Sequence, residues 1–224
     1  MSPRGGEPST GRPEGRPAAR RLLAPPTLAH LAHSLIERPG SVADVGPDVR
    51  RAAVALVLRA GFDDRLELLF IERAVYPGDP WSGQVAFPGG RRELLDHSLR
   101  ETAVRETREE LGFDIEDDGL ILGRLDELPP LTPVLPPIVV RPYVAVVDAD
   151  VSLALSDEVA RAFWAPVDEL CSPDASVNAS VIVRGESRVV PCVSHAGYTI
   201  WGMTERIFRD FQRRLEPDAS SGRR

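Results

Sequence analysis

Lysine is missing altogether from this chain of 224 residues, so its 27 fixed basic side chains are all arginine, a bias that reads as genome composition and assigns no mechanism. Long apolar runs are missing too. No stretch of eighteen consecutive apolar residues occurs, so no membrane-spanning helix is expected. The N-terminus has no apolar core of the kind a secretory signal needs, and a cytoplasmic location is the expectation. Cysteine is scarce. Cys171 and Cys192 each lack a partner at metal-ligand spacing, and both read as buried free thiols in a reducing compartment. No internal repeat is visible. The net charge is −7, yet residues 1–24 hold five arginines and two glutamates, which leaves about −10 on the remainder. An acidic body of that kind is a poor match for a nucleic-acid backbone.

What is present suits one domain of ordinary size, 42% hydrophobic, with flexible ends. Residues 1–25, rich in Arg, Pro and Gly, are expected to form a disordered leader, 26–215 the domain, and 216–224 a frayed tail. Residues 27–37 place Leu28, Leu31, Leu35 and Ile36 at helical spacing, with His30 and His33 as a surface pair. AAVALVLR and LELLFIER, joined by GFDD, read as a β-hairpin. A loop dense in Gly and Pro then leads into a short strand at 84–87. Further strands are expected at 120–127 and 138–147, joined by the proline-rich PPLTPVLPP. Residues 156–170 begin as a strand and turn at Ala165-Pro166 into a short helix. Residues 180–193 and 197–201 give a hairpin-like pair around Gly185-Glu186. A closing helix carries Ile207, Phe208, Phe211 and Leu215 on its core side. This layout defines an α/β sandwich.

The layout turns on the stretch from Gly89 to Phe113. Ser98-Leu99-Arg100-Glu101 looks like a capping box that starts a helix, and Gly112 is placed to stop it. Leu99, Ala103 and Leu111, with Val104 beside them, form a core stripe. Glu106, Glu109 and Glu110 fall within an arc of roughly 100° on a separate face. Like charges that close repel. A helix accepts them if solvent surrounds them or a cation sits among them, and hard divalent ions such as Mg²⁺ prefer carboxylate oxygens. Arg105, four residues before Glu109, can pair with it and fix its rotamer. Gly89 and Gly90 allow the backbone to approach a ligand closely.

This stretch resembles the Nudix box: Gly, five residues, Glu, seven residues, then Arg-Glu-aliphatic-x-Glu-Glu-x-Gly-aliphatic. Gly90, Arg105, Glu106, Glu109, Glu110, Gly112 and Phe113 fit it. Asp96 stands in place of the first Glu, one extra residue separates it from Arg105, and Thr107 replaces the aliphatic residue. The resemblance covers roughly residues 50–215 and implies the Nudix fold, a mixed β-sheet sandwiched between α-helices, with the box at 90–113. It implies a metal-dependent pyrophosphatase using Mg²⁺ or Mn²⁺. The ligands carried over are Glu106, Glu109, Glu110 and the carbonyl of Gly89. Chemistry points the same way. A diphosphate repels a nucleophilic water, and carboxylate-bound divalent ions remove that obstacle. One carboxylate must take the proton from water, and both Glu106 and the loop acid Glu158, next to Asp157, are candidates.

Upstream, Gly83-Gln84-Val85-Ala86-Phe87-Pro88-Gly89-Gly90 looks like the signature of the coenzyme A branch of the family, and Phe70-Ile71-Glu72-Arg73 keeps that signature's arginine. The Leu-Arg-x-His element of that branch is missing. Arg73, Gln84 and Gly90 are the implied substrate contacts, with Arg91 and Arg92 in range for a 3′-phosphate. The products would be 3′,5′-ADP and 4′-phosphopantetheine. Two alternatives remain at this point: a Nudix hydrolase of ADP-ribose, a dinucleotide or a nucleoside triphosphate, and a Nudix-fold binding module without turnover. A homodimer is the expected assembly.

Overall fold

The structure, a computed structural model, describes residues 19–46, 48–61, 65–78, 81–129, 137–183 and 185–216. The expected leader up to residue 18, the turn at 62–64, most of the proline-rich loop and the tail beyond 216 lie outside the described residues.

Helix α1 (Ala19–Leu22) falls inside the stretch expected to be a leader, and its Leu22 is buried. Helix α2 (Pro26–Glu37) follows. Its Leu28, Leu31 and Leu35 line one buried stripe, while Ile36 is 69% exposed rather than in the core. The reason is geometric: Ile36 is rotated about 100° from Leu35, off the stripe.

Strands β1 (Arg50–Ala60) and β2 (Leu66–Arg73) form the expected antiparallel hairpin, with Leu58 opposite Leu68. Strands β3 (Val85–Ala86), β4 (Gly89–Arg91), β5 (Gly119–Arg124), β6 (Ile138–Val147) and β7 (Val159–Pro166) complete a seven-stranded sheet. The order is β3-β2-β1-β6-β5, with β4 also on β1 and β7 on β2. The β1–β6 pair is parallel and the others antiparallel, so the sheet is mixed. Strand β1 is a near-continuous apolar run because both faces of the sheet are covered. Leu56 and Leu58 pack with α2 and α6 (Gly202–Leu215), the latter through Phe208 and Phe211. Ala53, Ala55 and Val57 pack on the other face with Leu99, Ala103 and Leu111 of α3 (Leu99–Leu111). Sheet between helices is the sandwich expected.

Besides α1, three elements differ from the sequence reading. The Gly89-Gly90 turn is a short strand, in which Gly90 pairs with Ala53. Residues Ile115–Asp118 form a helical turn, α4, capped by the Asp114 side chain accepting from the Glu116 amide at 2.8 Å. The C-terminal hairpin is a separate three-stranded sheet, β8 (Ser176–Val183), β9 (Glu186–His195) and β10 (Tyr198–Trp201), in the order β10-β9-β8. It follows the short helix α5 (Val167–Leu170). Cys192 is buried as expected and Cys171 half-buried. Among the described residues no helix is long and apolar enough to cross a membrane.

Candidate active site

Helix α3 presents the three box glutamates along one side of a cleft of about 280 Å³, whose other side is Ser156, Asp157 and Glu158. The two walls are sewn together by backbone. The last turn of a helix leaves its carbonyls without partners. Here the carbonyl of Glu110 accepts from the Ser156 amide at 3.0 Å and that of Leu111 from the Ala154 amide at 2.8 Å. The Ala74 amide, next to Arg73 at the end of β2, donates to the Glu158 carbonyl at 2.8 Å. The Tyr76 hydroxyl donates to the Asp157 carbonyl at 2.8 Å. The structure thus brings Glu158 to the box, together with its neighbours Ser156 and Asp157.

Inside the cleft the glutamates are not alike. Glu110 is 3% exposed, and its Oε2 accepts from the Gly89 amide at 2.9 Å. Burial pushes its carboxyl up to about 8 against that hydrogen bond, with Glu106 and Glu158 repelling it further and Arg73 drawing it back. Glu106 is also raised, first by burial, while Arg105 opposes the shift and Glu109 and Glu158 add to it. Glu109 is half exposed.

Arg105 is the hinge of the arrangement. Its guanidinium reaches Glu109 at 2.8 Å, Glu106 at 3.0 Å and Asp96 at 3.0 Å, and it donates to the Arg91 carbonyl at 3.0 Å. Asp96 is buried, accepts from the Thr102 hydroxyl at 2.9 Å, and is held well below the usual carboxylate range chiefly by Arg105. Asp at the box position, shorter than Glu, therefore still meets the arginine across the extra residue. This partnership was invisible in the sequence, because a nine-residue separation spanning a loop has no periodicity to read. Thr107, the other departure, is fully buried and turns its hydroxyl to the Ala103 carbonyl at 2.8 Å, so its methyl group serves where an aliphatic side chain is usual.

Gly90 explains itself by what a side chain would strike: a Cβ there would lie 2.4 Å from Glu106 Oε1. Gly89, at φ +148°, would bring a Cβ to 2.3 Å from the Ala53 carbonyl oxygen. The segment from Gly83 to Gly90 folds back on β2, since the Arg73 amide donates to the Gln84 carbonyl and the Gly83 amide to that of Arg73, both at 3.1 Å. Arg92 is committed elsewhere, donating to the carbonyls of Asp96 at 2.9 Å and His97 at 3.3 Å. Arg91 is exposed.

The donor set is oxygen only, from carboxylates that repel one another in a half-enclosed cleft, which is the chemistry of a hard divalent cation site. As they stand, Glu106 and Glu109 turn to Arg105 and Glu110 to the Gly89 amide. Among the described residues no three His, Cys, Asp or Glu side chains are gathered closely enough to hold an ion in this arrangement.

A mixed sheet between helices, with a Gly-Gly strand feeding an acidic helix, defines the Nudix class of fold. The NUDIX domain model matches residues 49–184, and the chain belongs to that family. The uncharacterized Nudix hydrolase NudL of Citrobacter koseri is 34% identical over 130 residues, 58% of this chain and 65% of that protein. The uncharacterized protein C14C4.10c of Schizosaccharomyces pombe is 34% identical over 118 residues, 51% of this chain and 36% of that one. The chain thus spans between about a third and two thirds of the length of these curated relatives. A MutT/nudix family protein from Enterococcus faecalis shares the fold at a TM-score of 0.51 and 18% identity, over 89% of this chain and 75% of that one.

Proposed function

We propose that the chain is a Mg²⁺- or Mn²⁺-dependent Nudix pyrophosphatase that hydrolyses coenzyme A or an acyl-coenzyme A to 3′,5′-ADP and 4′-(acyl)phosphopantetheine. The observation that carries the reading is a cleft lined by Glu106, Glu109, Glu110 and Glu158, and the coenzyme A assignment rests on the Gly83–Gly90 signature, whose segment folds back on Arg73 at the end of β2. Carboxylates hold cations, and a guanidinium binds phosphate.

In this reading Glu106, Glu109 and Glu110, with the carbonyl of Gly89, would hold the divalent ion, and Arg105 would set the first two in place. The bound ion would neutralise phosphoryl oxygens and lower the pKa of a coordinated water. Water adds to one phosphorus as the bridging P–O bond breaks, so both halves leave as phosphomonoesters. The proton that water loses goes to a carboxylate, Glu106 or Glu158. Arg73, Gln84 and Gly90 would be the substrate contacts, as the family resemblance implies. Arg91, exposed at the start of the box, is better placed than Arg92 for a 3′-phosphate, since Arg92 holds the loop together. The same reading puts the enzyme in the cytoplasm as a homodimer.

Product analysis by chromatography tests it. The purified chain is incubated with Mg²⁺ or Mn²⁺ and a panel of coenzyme A, acetyl-coenzyme A, ADP-ribose, NADH, diadenosine polyphosphates and nucleoside triphosphates. Fastest release of 3′,5′-ADP is the expected result. Faster cleavage of another diphosphate removes the coenzyme A assignment and keeps the chemistry, whereas no cleavage of any compound favours a binding module.

A further inference from the structure

We propose that Tyr76 is a positioning residue of the cleft. By holding the Asp157 carbonyl it fixes the backbone from which Glu158 faces the box glutamates, and turnover depends on it through Glu158. This rests on the pyrophosphatase reading above and on no particular substrate.

Glu158 needs support of this kind. It lies across the cleft from Glu106 and Glu110 and repels both. Among the described residues no hydrogen bond or ion pair holds its carboxylate, whereas Glu106 and Glu109 rest on Arg105 and Glu110 on the Gly89 amide. A side chain without a partner is aimed by its backbone alone. Repulsion from two carboxylates pushes that backbone away from α3 unless something holds it.

Two peptide groups flank the Glu158 Cα, and both are held. In the first, the Glu158 amide donates to the Ser156 hydroxyl at 3.3 Å, and the Asp157 carbonyl accepts from the Tyr76 hydroxyl at 2.8 Å. In the second, the Val159 amide donates to the Ser156 carbonyl at 3.1 Å, and the Glu158 carbonyl accepts from the Ala74 amide at 2.8 Å. Each peptide is planar, so fixing both planes fixes φ and ψ of Glu158 and the direction of its Cα–Cβ bond. Of these four ties, the one from Tyr76 alone is made by a side chain from outside the 156–159 loop.

Tyr76 is itself fixed. Its amide donates to the Ser82 hydroxyl and that hydroxyl donates to the Tyr76 carbonyl, both at 2.9 Å, which closes the intervening loop at its neck. One residue on, the Gly83 amide donates to the Arg73 carbonyl at 3.1 Å. The phenol thus reaches Asp157 from a closed loop that continues into the Gly83–Gly90 segment. Tyr76 is 46% exposed, so water replaces its hydrogen bond at little cost in stability. What the bond controls is the aim of Glu158.

Steady-state kinetics of the full chain in Mg²⁺ test this, on whichever diphosphate of the panel the wild type cuts fastest, with Tyr76→Phe, Glu158→Gln and the double variant. Tyr76→Phe is expected to lower kcat about tenfold, with KM and the melting temperature unchanged. Glu158→Gln is expected to lower kcat about a hundredfold. The double variant should be no slower than Glu158→Gln, because two residues acting through one group do not add. Amide hydrogen exchange at residues 157–159 should quicken in Tyr76→Phe. An unchanged kcat in Tyr76→Phe or in Glu158→Gln would overturn the inference while leaving the pyrophosphatase in place, as would losses that multiply in the double variant or unaltered exchange. A wild type that cuts no diphosphate removes the pyrophosphatase reading and this inference with it.

Discussion

Gly90 and Glu106 are in contact because nothing lies between them. A Cβ at residue 90 would sit 2.4 Å from Glu106 Oε1, so Gly90→Ala must move the carboxylate. Displacements of about 1 Å at a reacting centre cost on the order of a hundredfold in rate. Steady-state kinetics should show that loss in kcat while the melting temperature changes little. Arg105 acts differently, because it neutralises a buried partner. Arg105→Ala leaves Asp96, 5% exposed, without its cation, and loss of one partner of a buried pair costs roughly 3–5 kcal/mol, to be read by urea unfolding. At this scale the types were legible and the partners were not. The box glutamates, Arg105 and Gly90 stand in a pattern that names their chemistry, and the Arg105–Glu109 pair follows from helical spacing. The Asp96 contact and the Tyr76 hydrogen bond to Asp157 join residues separated by loops, where no period exists to read.

Helix α3 shows how an element carries a site. Ser98 caps it by accepting from the Glu101 amide at 3.2 Å, yet Glu101 reaches back to the His97 amide at 2.9 Å rather than to that of Ser98. Ser98→Ala should still cost about 1 kcal/mol by thermal unfolding. Its buried stripe and its acidic face were both readable, because 3.6-residue periodicity separates them. The strands of the main sheet other than β4 were readable for a similar reason, as apolar runs bounded by Gly and Pro, whereas β4 is a Gly-Gly-Arg segment that carries no apolar signal. Strand β8 was seen only in its second half, since its opening, Ser176 to Ser180, has too few apolar residues to signal a strand. Helix α4 has four residues, too few for any periodic signal.

For the whole molecule, buried charge sets the response to pH. Glu127 is 6% exposed; burial pushes its carboxyl up, but the Ala43 amide and the guanidiniums of Arg141 and Arg51 outweigh that and hold it below the usual range. Asp96 is lowered as well. A carboxyl lowered in the folded state stabilises above its unfolded pKa, near 4, and that stabilisation is lost as pH falls through the folded value. The melting temperature should therefore fall as pH drops below about 4, and Glu127→Gln should flatten part of that decline.

The carboxylates of α3 would hold the ion that makes the cleft a pyrophosphatase, and Glu109→Gln is the substitution that tests this. Glu109 is half exposed, so the change tests charge rather than folding. Turnover of the diphosphate that the wild type cuts fastest should fall by at least about a hundredfold in Mg²⁺, with the melting temperature kept. Near-normal turnover in that variant would contradict the account.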